Sequence, residues 1–201
     1  ASDREAGDFF AAGGIRVQGH LVAIGAPECD DRAGAVYLFD ISDPAAPVQL
    51  AKVTAPNRVA GDWFGGGIDI SGNLLAVGAN RDDTVATDSG AAYLFDISNP
   101  SSPVPLQKLT ASDASAGDRF GAPAIDGNVV LVGAWVKDAT GTDSGAAYLY
   151  TLDPASSDFG DAPAPYPTTL SEGGAQHLAV GPMLGAARDS EYTGIHSAAV
   201  A

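Results

Sequence analysis

The sequence predicts an all-β fold assembled from four-stranded units, and three observations predict it. The chain repeats itself: Ala-Gly-Asp-x-Phe begins at Ala6, Ala60 and Ala116, so successive copies start 54 and 56 residues apart. Its 201 residues include 25 Gly and 13 Pro, a turn density that suits many short strands rather than long helices. No segment keeps the 3.6-residue apolar period of an amphipathic helix, which excludes a helical solenoid.

Each copy opens on that pentapeptide, with Gly7, Asp8 and Phe10, then Gly61, Asp62 and Phe64, then Gly117, Asp118 and Phe120. A short strand follows and ends in a glycine-centred turn: Gln18-Gly19-His20, Ser71-Gly72-Asn73 or Asp126-Gly127-Asn128. Glycine supplies the positive φ that a tight hairpin needs. The second strand is apolar without alternation, LVAIGAP at 21–27, LLAVGAN at 74–80 and VVLVGAW at 129–135, as a sheet covered on both faces requires. A polar acidic loop leads to the third strand, GAVYLF (34–39), GAAYLF (90–95) or GAAYLY (145–150). Two copies continue through DISDPAAPVQLAKVT (40–54) and DISNPSSPVPLQKLT (96–110), a proline-marked loop and a fourth strand. The repeated Asp8, Asp62 and Asp118 each follow a glycine and precede a strand, where an Asp side chain accepts backbone N–H bonds and locks a turn. Their presence in every copy favours architecture over a single active site. Phe10, Phe64 and Phe120 read as packing between units.

Four short strands per repeat is the pattern of a β-propeller blade, which buries its faces only by stacking on neighbours. The units run over about 1–54, 55–110 and 111–157, and a tail of different composition occupies 158–201. Ala1-Ser2-Asp3 aligns with Ala111-Ser112-Asp113, so the chain starts where a fourth strand would have ended. The third repeat leaves the pattern after Tyr150, which makes about eleven strands and a blade without its last one. Three blades are too few for the usual ring. The expectation is part of a larger propeller, or a protomer completed by its own tail or by another chain.

Ten basic residues against 25 acidic ones give a net charge of -15, which repels nucleic-acid backbones and anionic lipid surfaces. No apolar run approaches the length of a membrane-spanning helix. Cys29 is the only cysteine, so an intrachain disulfide is excluded. It is expected to be a surface or half-buried thiol without a role, an intermolecular bridge being the alternative.

These residues resemble the FG-GAP repeat family over about 1–152. Phe64-Gly65 and Phe120-Gly121 match the FG word, with Phe10-Ala11 in its place in the first copy. Gly25-Ala26-Pro27 matches GAP, with Gly78-Ala79-Asn80 and Gly133-Ala134-Trp135 as weaker equivalents. The Gly121-Ala122-Pro123 spelling is a coincidence outside the register. The likeness is closest to the bacterial version, and it implies a β-propeller with an extracellular binding or scaffolding role. The calcium loops of integrin blades are not carried over, because GGIDISGNLLAV and GAPAIDGNVVLV between FG and GAP lack the several oxygen donors Ca²⁺ demands. Acid gathers after the GAP position instead: Glu28, Asp30 and Asp31, then Asp82, Asp83 and Asp88, then Asp138 and Asp143. These loops either hold Ca²⁺ or solvate their tips and cap turns, and their irregular spacing favours the second reading.

From Asp158 the tail reads DFGDAP, then Tyr166, Gly174-Ala175, His177, Leu184-Gly185, Asp189 and Glu191, which resembles the opening of a module of large secreted bacterial proteins. His177, His196, Asp189 and Glu191 match no compact metal motif. The chain has no G-x-S-x-G, C-x-x-C, P-loop or H-E-x-x-H word. The reading is therefore a non-catalytic extracellular or cell-surface module for structure or adhesion, self-assembling through strand exchange. Its expected partners are protein, including further copies of itself, or carbohydrate. An accessory binding domain of a secreted hydrolase and a calcium-dependent binder are the alternatives.

Overall fold

The computed structural model describes residues 7–152 and the short strand segments 157–158, 177–178 and 197–200. The expectations placed on Ala1-Ser2-Asp3, on the tail words between Phe159 and Glu191 and on His196 lie outside the described residues.

Eleven strands run through the repeats. The first sheet is β1 (Ile15–Gln18), β2 (Leu21–Ala26), β3 (Ala35–Asp40) and β4 (Val48–Val53). The second is β5 (Phe64–Ser71), β6 (Leu74–Ala79), β7 (Ala91–Asp96) and β8 (Val104–Leu109). The third consists of β9 (Phe120–Asp126), β10 (Val129–Ala134) and β11 (Ala146–Thr151). All are antiparallel meanders in chain order. Along the outer edge of β11, where β4 and β8 close the other sheets, runs the segment β14 (Ser197–Val200), antiparallel, with Leu149 opposite Ala198. The segments β12 (Ser157–Asp158) and β13 (His177–Leu178) pair with each other.

Local chemistry explains the strand ends. Gly19, Gly72 and Gly127 hold φ of 60°, 57° and 56° in two-residue hairpins, the first central position that a type II′ turn reserves for glycine. After the third strand, Asp40 Oδ1 accepts from the Ser42 N–H at 2.8 Å and Asp96 Oδ1 from the Ser98 N–H at 2.7 Å. Asp43 and Asn99, three residues further on, repeat the same local bond. These side chains bend the chain into the connection that returns it as β4 or β8.

The third strands β3 and β7 each belong to two cores. Tyr93 and Phe95 face back into a cluster with Ala23, Val36, Leu38 and Val53 of the first blade. Ala92 and Leu94, on the opposite face, join Phe120, Val130, Val132 and Tyr148 of the third. The signature phenylalanines sit between the layers. Phe64 meets Tyr93 and Phe95 edge-on, with centroids at 5.5 and 5.9 Å. Phe120 repeats this with Tyr148 and Tyr150 at 5.5 and 6.1 Å. Both are fully buried, and burial of such a ring contributes about 1.5–3 kcal/mol. The second strand bears out the covered-sheet pattern in β6, buried at every position but its first. In β10 burial alternates, and Val129 and Leu131 are exposed, because no described residue packs on that face.

Glycine sets the spacing of the blades. A Cβ built on Gly25 would lie 2.3 Å from the Gly65 carbonyl oxygen, and one on Gly78 would lie 1.8 Å from that of Gly121. The GAP glycine of one blade is therefore the floor on which the FG glycine of the next blade rests its carbonyl. Gly133 holds the same place in the third blade, but its nearest neighbour is the Ala122 side chain at 3.5 Å. Ala11 stands in the FG glycine position of the first blade and keeps its positive φ, 76°.

This contact predicts a contrast between two identical substitutions. Gly78→Ala should destabilise the fold by about 3 kcal/mol or more, since backbone rather than a flexible side chain must yield. Gly133→Ala should change stability by less than about 0.5 kcal/mol. Urea unfolding followed by tyrosine and tryptophan fluorescence checks both.

Candidate functional site

The Asp of each pentapeptide lies beneath the loop that follows the GAP position, and this junction concentrates the charge of the molecule. In the third blade Asp118 Oδ2 accepts from the Ser115 N–H at 2.7 Å, closing the turn, and also from the Lys137 ammonium at 2.9 Å. Lys137 donates as well to the Asp113 carbonyl at 2.9 Å, and the Tyr148 hydroxyl donates to Asp113 Oδ1 at 2.5 Å. Burial disfavours the Lys137 charge, but hydrogen bonds with Asp118 and its attraction to Asp118 and Asp113 hold its pKa above the ordinary lysine value.

The second blade has a carboxylate where the third has that lysine. Asp82, only 1% exposed, takes two oxygens to Lys108 of β8, at 2.9 and 2.7 Å, and one to the Tyr93 hydroxyl at 2.8 Å. Burial opposes its ionisation, yet Lys108, Thr84 and Tyr93 together hold its carboxyl below the usual range. Asp62 lies close by, 4% exposed, bonded to the Val59 backbone but with Oδ2 lacking a hydrogen-bond partner among the described residues. Burial, and then the charge of Asp82, push its pKa up to about 6.

In the first blade the same place is taken by Cys29. The thiol is neither at the surface nor half-exposed: it is 1% exposed, packed with Ala26, Ala35 and Tyr37. Burial, followed by the neighbouring Asp30, raises its pKa to about 11, so it is a small apolar filler there. The short turn Cys29–Arg32 is left-handed at Asp30, Asp31 and Arg32, with φ of 54°, 58° and 65°. Asp30 turns outward to Lys52 at 3.0 Å and to Arg58.

The acidic loop residues are distributed among local bonds. Asp83 Oδ1 accepts from the Asp88 N–H at 2.6 Å, and Asp138 Oδ1 from the Asp143 N–H at 2.8 Å, the same five-residue span in two blades. Asp88 and Asp143 adopt φ of 53° and 52°. Asp88 also pairs with Arg119 at 2.9 Å, and Asp82 is held by Lys108. Among the described residues no three His, Cys, Asp or Glu side chains converge in a way that would hold a metal ion. The loops also serve the neighbouring blade. Trp63 and Phe64 donate to the carbonyls of Arg32 and Ala33, and Arg119 and Phe120 to those of Asp88 and Ser89.

Sequence reasoning did not find Asp69. It pairs with Arg16 of β1 at 3.0 Å and accepts from the Ile125 N–H of β9 at 2.9 Å, so one side chain ties three blades at their first strands. Its signal, a lone acid in an otherwise apolar first strand, is visible only once the blades are stacked.

Antiparallel blades, stacked through a glycine-on-carbonyl contact and an interleaved phenylalanine, define a β-propeller blade module. The matching family model is the FG-GAP repeat, over residues 47–95 and 105–150. Residues 47–150 are thus FG-GAP repeats. Each matched span starts at the outer strand of one blade and ends with the third strand of the next, so the repeated unit straddles two sheets. No curated protein matches the chain significantly.

The Asp62–Asp82 juxtaposition gives a prediction with a definite sign. Asp62 has a folded pKa above its unfolded value of roughly 3.9, so its contribution to stability is full below about pH 4 and is lost as pH rises through about 6. Asp62→Asn keeps an acceptor for Val59 and places an amide donor toward Asp82. It should stabilise the protein at pH 7.5 by about 1 kcal/mol or more and remove that part of the decline between pH 4 and 6.5. Chemical denaturation of both proteins across this range is the measurement, and equal stability at pH 7.5 would refute the account.

Proposed function

We propose that this chain is a non-catalytic module of the cell surface or extracellular space, serving structure or adhesion, and that it self-associates through its blade faces. One observation carries the proposal: the third blade repeats the docking surface that the first two use, and no described residue covers it. Gly133 and Gly145 correspond to Gly78 and Gly90, which lie within 2.0 Å of the next blade when given a Cβ, yet neither of the third-blade pair has such a neighbour among the described residues. Trp135, Val129 and Leu131 are exposed beside them. At the other end, β1 is exposed along its whole length, as are Phe9, Ile15 and Val17. Unpaired faces of this kind are templates for association. The non-catalytic part of the reading rests on the absence of catalytic motifs in the sequence, and the extracellular part on the FG-GAP resemblance. Exchange of the β14 segment along β11 between copies is a second route to assembly.

Sedimentation velocity over a wide concentration range tests the reading. The expected result is a concentration-dependent species larger than one chain. Gly133→Val should return it to a monomer with an unchanged melting temperature, because no described residue comes closer to the position than the Ala122 side chain at 3.5 Å. A wild-type protein that stays monomeric throughout refutes self-association. Assembly that survives Gly133→Val assigns it to the β11 edge instead of the blade face.

A further inference from the structure

Between the second and third blades lies a cavity of about 200 Å³ lined by Trp63, Asn80, Arg81, Arg119, Trp135 and Val136. Its walls come from two places in the repeat. Asn80 and Trp135 are the last residues of the GAP words, with Arg81 and Val136 following them, while Trp63 and Arg119 occupy the variable position before the signature phenylalanine. The chain has only two tryptophans, and both are here.

Three features point to a ligand. Asn80 is 7% exposed and, among the described residues, its Oδ1 has no hydrogen-bond partner. The Trp63 Nε1–H is likewise buried without an acceptor. Leaving such a donor and acceptor unmade costs about 1–3 kcal/mol each, so a molecule that supplies both partners is favoured. Two of the ten basic residues of a strongly acidic chain also meet at this one place. Arg119 is paired with Asp88, whereas Arg81 stacks over the Trp63 ring at 4.0 Å and forms no ion pair among the described residues. Finally, the Trp135 indole is 50% exposed at the rim, a large apolar plane turned to solvent.

We infer that this cavity binds the uronic-acid unit of an acidic polysaccharide. The sugar carboxylate meets the guanidinium groups of Arg81 and Arg119, whose planar forks suit a carboxylate. Movement of Arg81 onto that carboxylate uncovers the Trp63 indole. A ring hydroxyl then accepts from Trp63 Nε1 and donates to Asn80 Oδ1. The apolar face of the ring lies on Trp135. The volume fits one sugar ring, below the range of pockets that take larger ligands. The inference deepens the adhesion reading and rests on it for its biological sense. Binding itself is measured without self-association, so either can fail alone.

The test is a tryptophan-fluorescence titration of the full chain with oligogalacturonate, at protein concentrations where sedimentation finds a single copy. Galactose and acetate serve as the neutral-sugar and bare-carboxylate controls. The expected result is a saturable change with oligogalacturonate, weakened about tenfold or more in Arg81→Gln/Arg119→Gln and in Trp135→Ala. Both arginines are at least partly exposed, so circular dichroism of the double variant should match wild type. No response to oligogalacturonate overturns the site. An equal response to galactose overturns the role of the arginines, and an equal response to acetate overturns that of the ring.

Discussion

The structure depends on one contact, the carbonyl of an FG glycine resting on the Cα of the preceding GAP glycine. A methyl group at Gly25 or Gly78 would occupy the space that this oxygen fills, so the distance between blades is fixed by backbone rather than by side chains. The rest follows from that distance. At such close approach the pentapeptide can donate N–H bonds into the loop of the blade before it, at 2.9–3.2 Å. The signature phenylalanine then drops between two sheets and meets the aromatic pair of its own third strand. The two words of the repeat are thus two halves of one interface, each useless without the other in the neighbouring blade.

Much of this was legible in the sequence because it is periodic. Strand order, the hairpin glycines and the continuously apolar second strands all repeat, and repetition exposes a pattern that one copy would hide. What varies between copies was not legible. Cys29, Asp82 and Lys137 occupy one position in the three blades, yet nothing local reveals that the first is sealed from solvent, the second held by Lys108 and the third paired with Asp118. Their partners lie on other strands, and a partner across a sheet leaves no mark near a residue in sequence. The cavity was hidden for the same reason, since Trp63 and Trp135 are separated by a whole repeat.

The offset between the repeated unit and the folded sheet has a mechanical consequence. The family match begins at residue 47, in the segment leading to β4, and continues through β5, β6 and β7. Yet β4 pairs with β3, in the blade before. The second and third units therefore reach back and close their predecessors, whereas the outer edge of β11 in the third blade is flanked by β14 instead. Covalent continuity and hydrogen bonding clamp adjacent sheets together, which binds blades whose individual faces would be too apolar to stand alone.

The three polar junctions show how such a scaffold absorbs variation. In the second blade the ammonium comes from β8, through Lys108, and two carboxylates, Asp62 and Asp82, compete for it. Asp82 wins on geometry with two bonds, and Asp62 is left with a raised pKa. The third repeat departs from the KLT pattern and offers no lysine from a fourth strand, but its loop places Lys137 where Asp82 stood, and Asp118 receives the ammonium directly. The first blade replaces the charged residue by a buried thiol, and Lys52 of β4 turns to Asp30 on the loop instead. The requirement at each junction is local charge compensation under a loop, and it is met by whichever strand or loop has a cation within reach. The second residue after the GAP word is therefore free to change while the pentapeptide Asp stays, because the fourth-strand lysine re-aims, to Asp30 in the first blade and to Asp82 in the second.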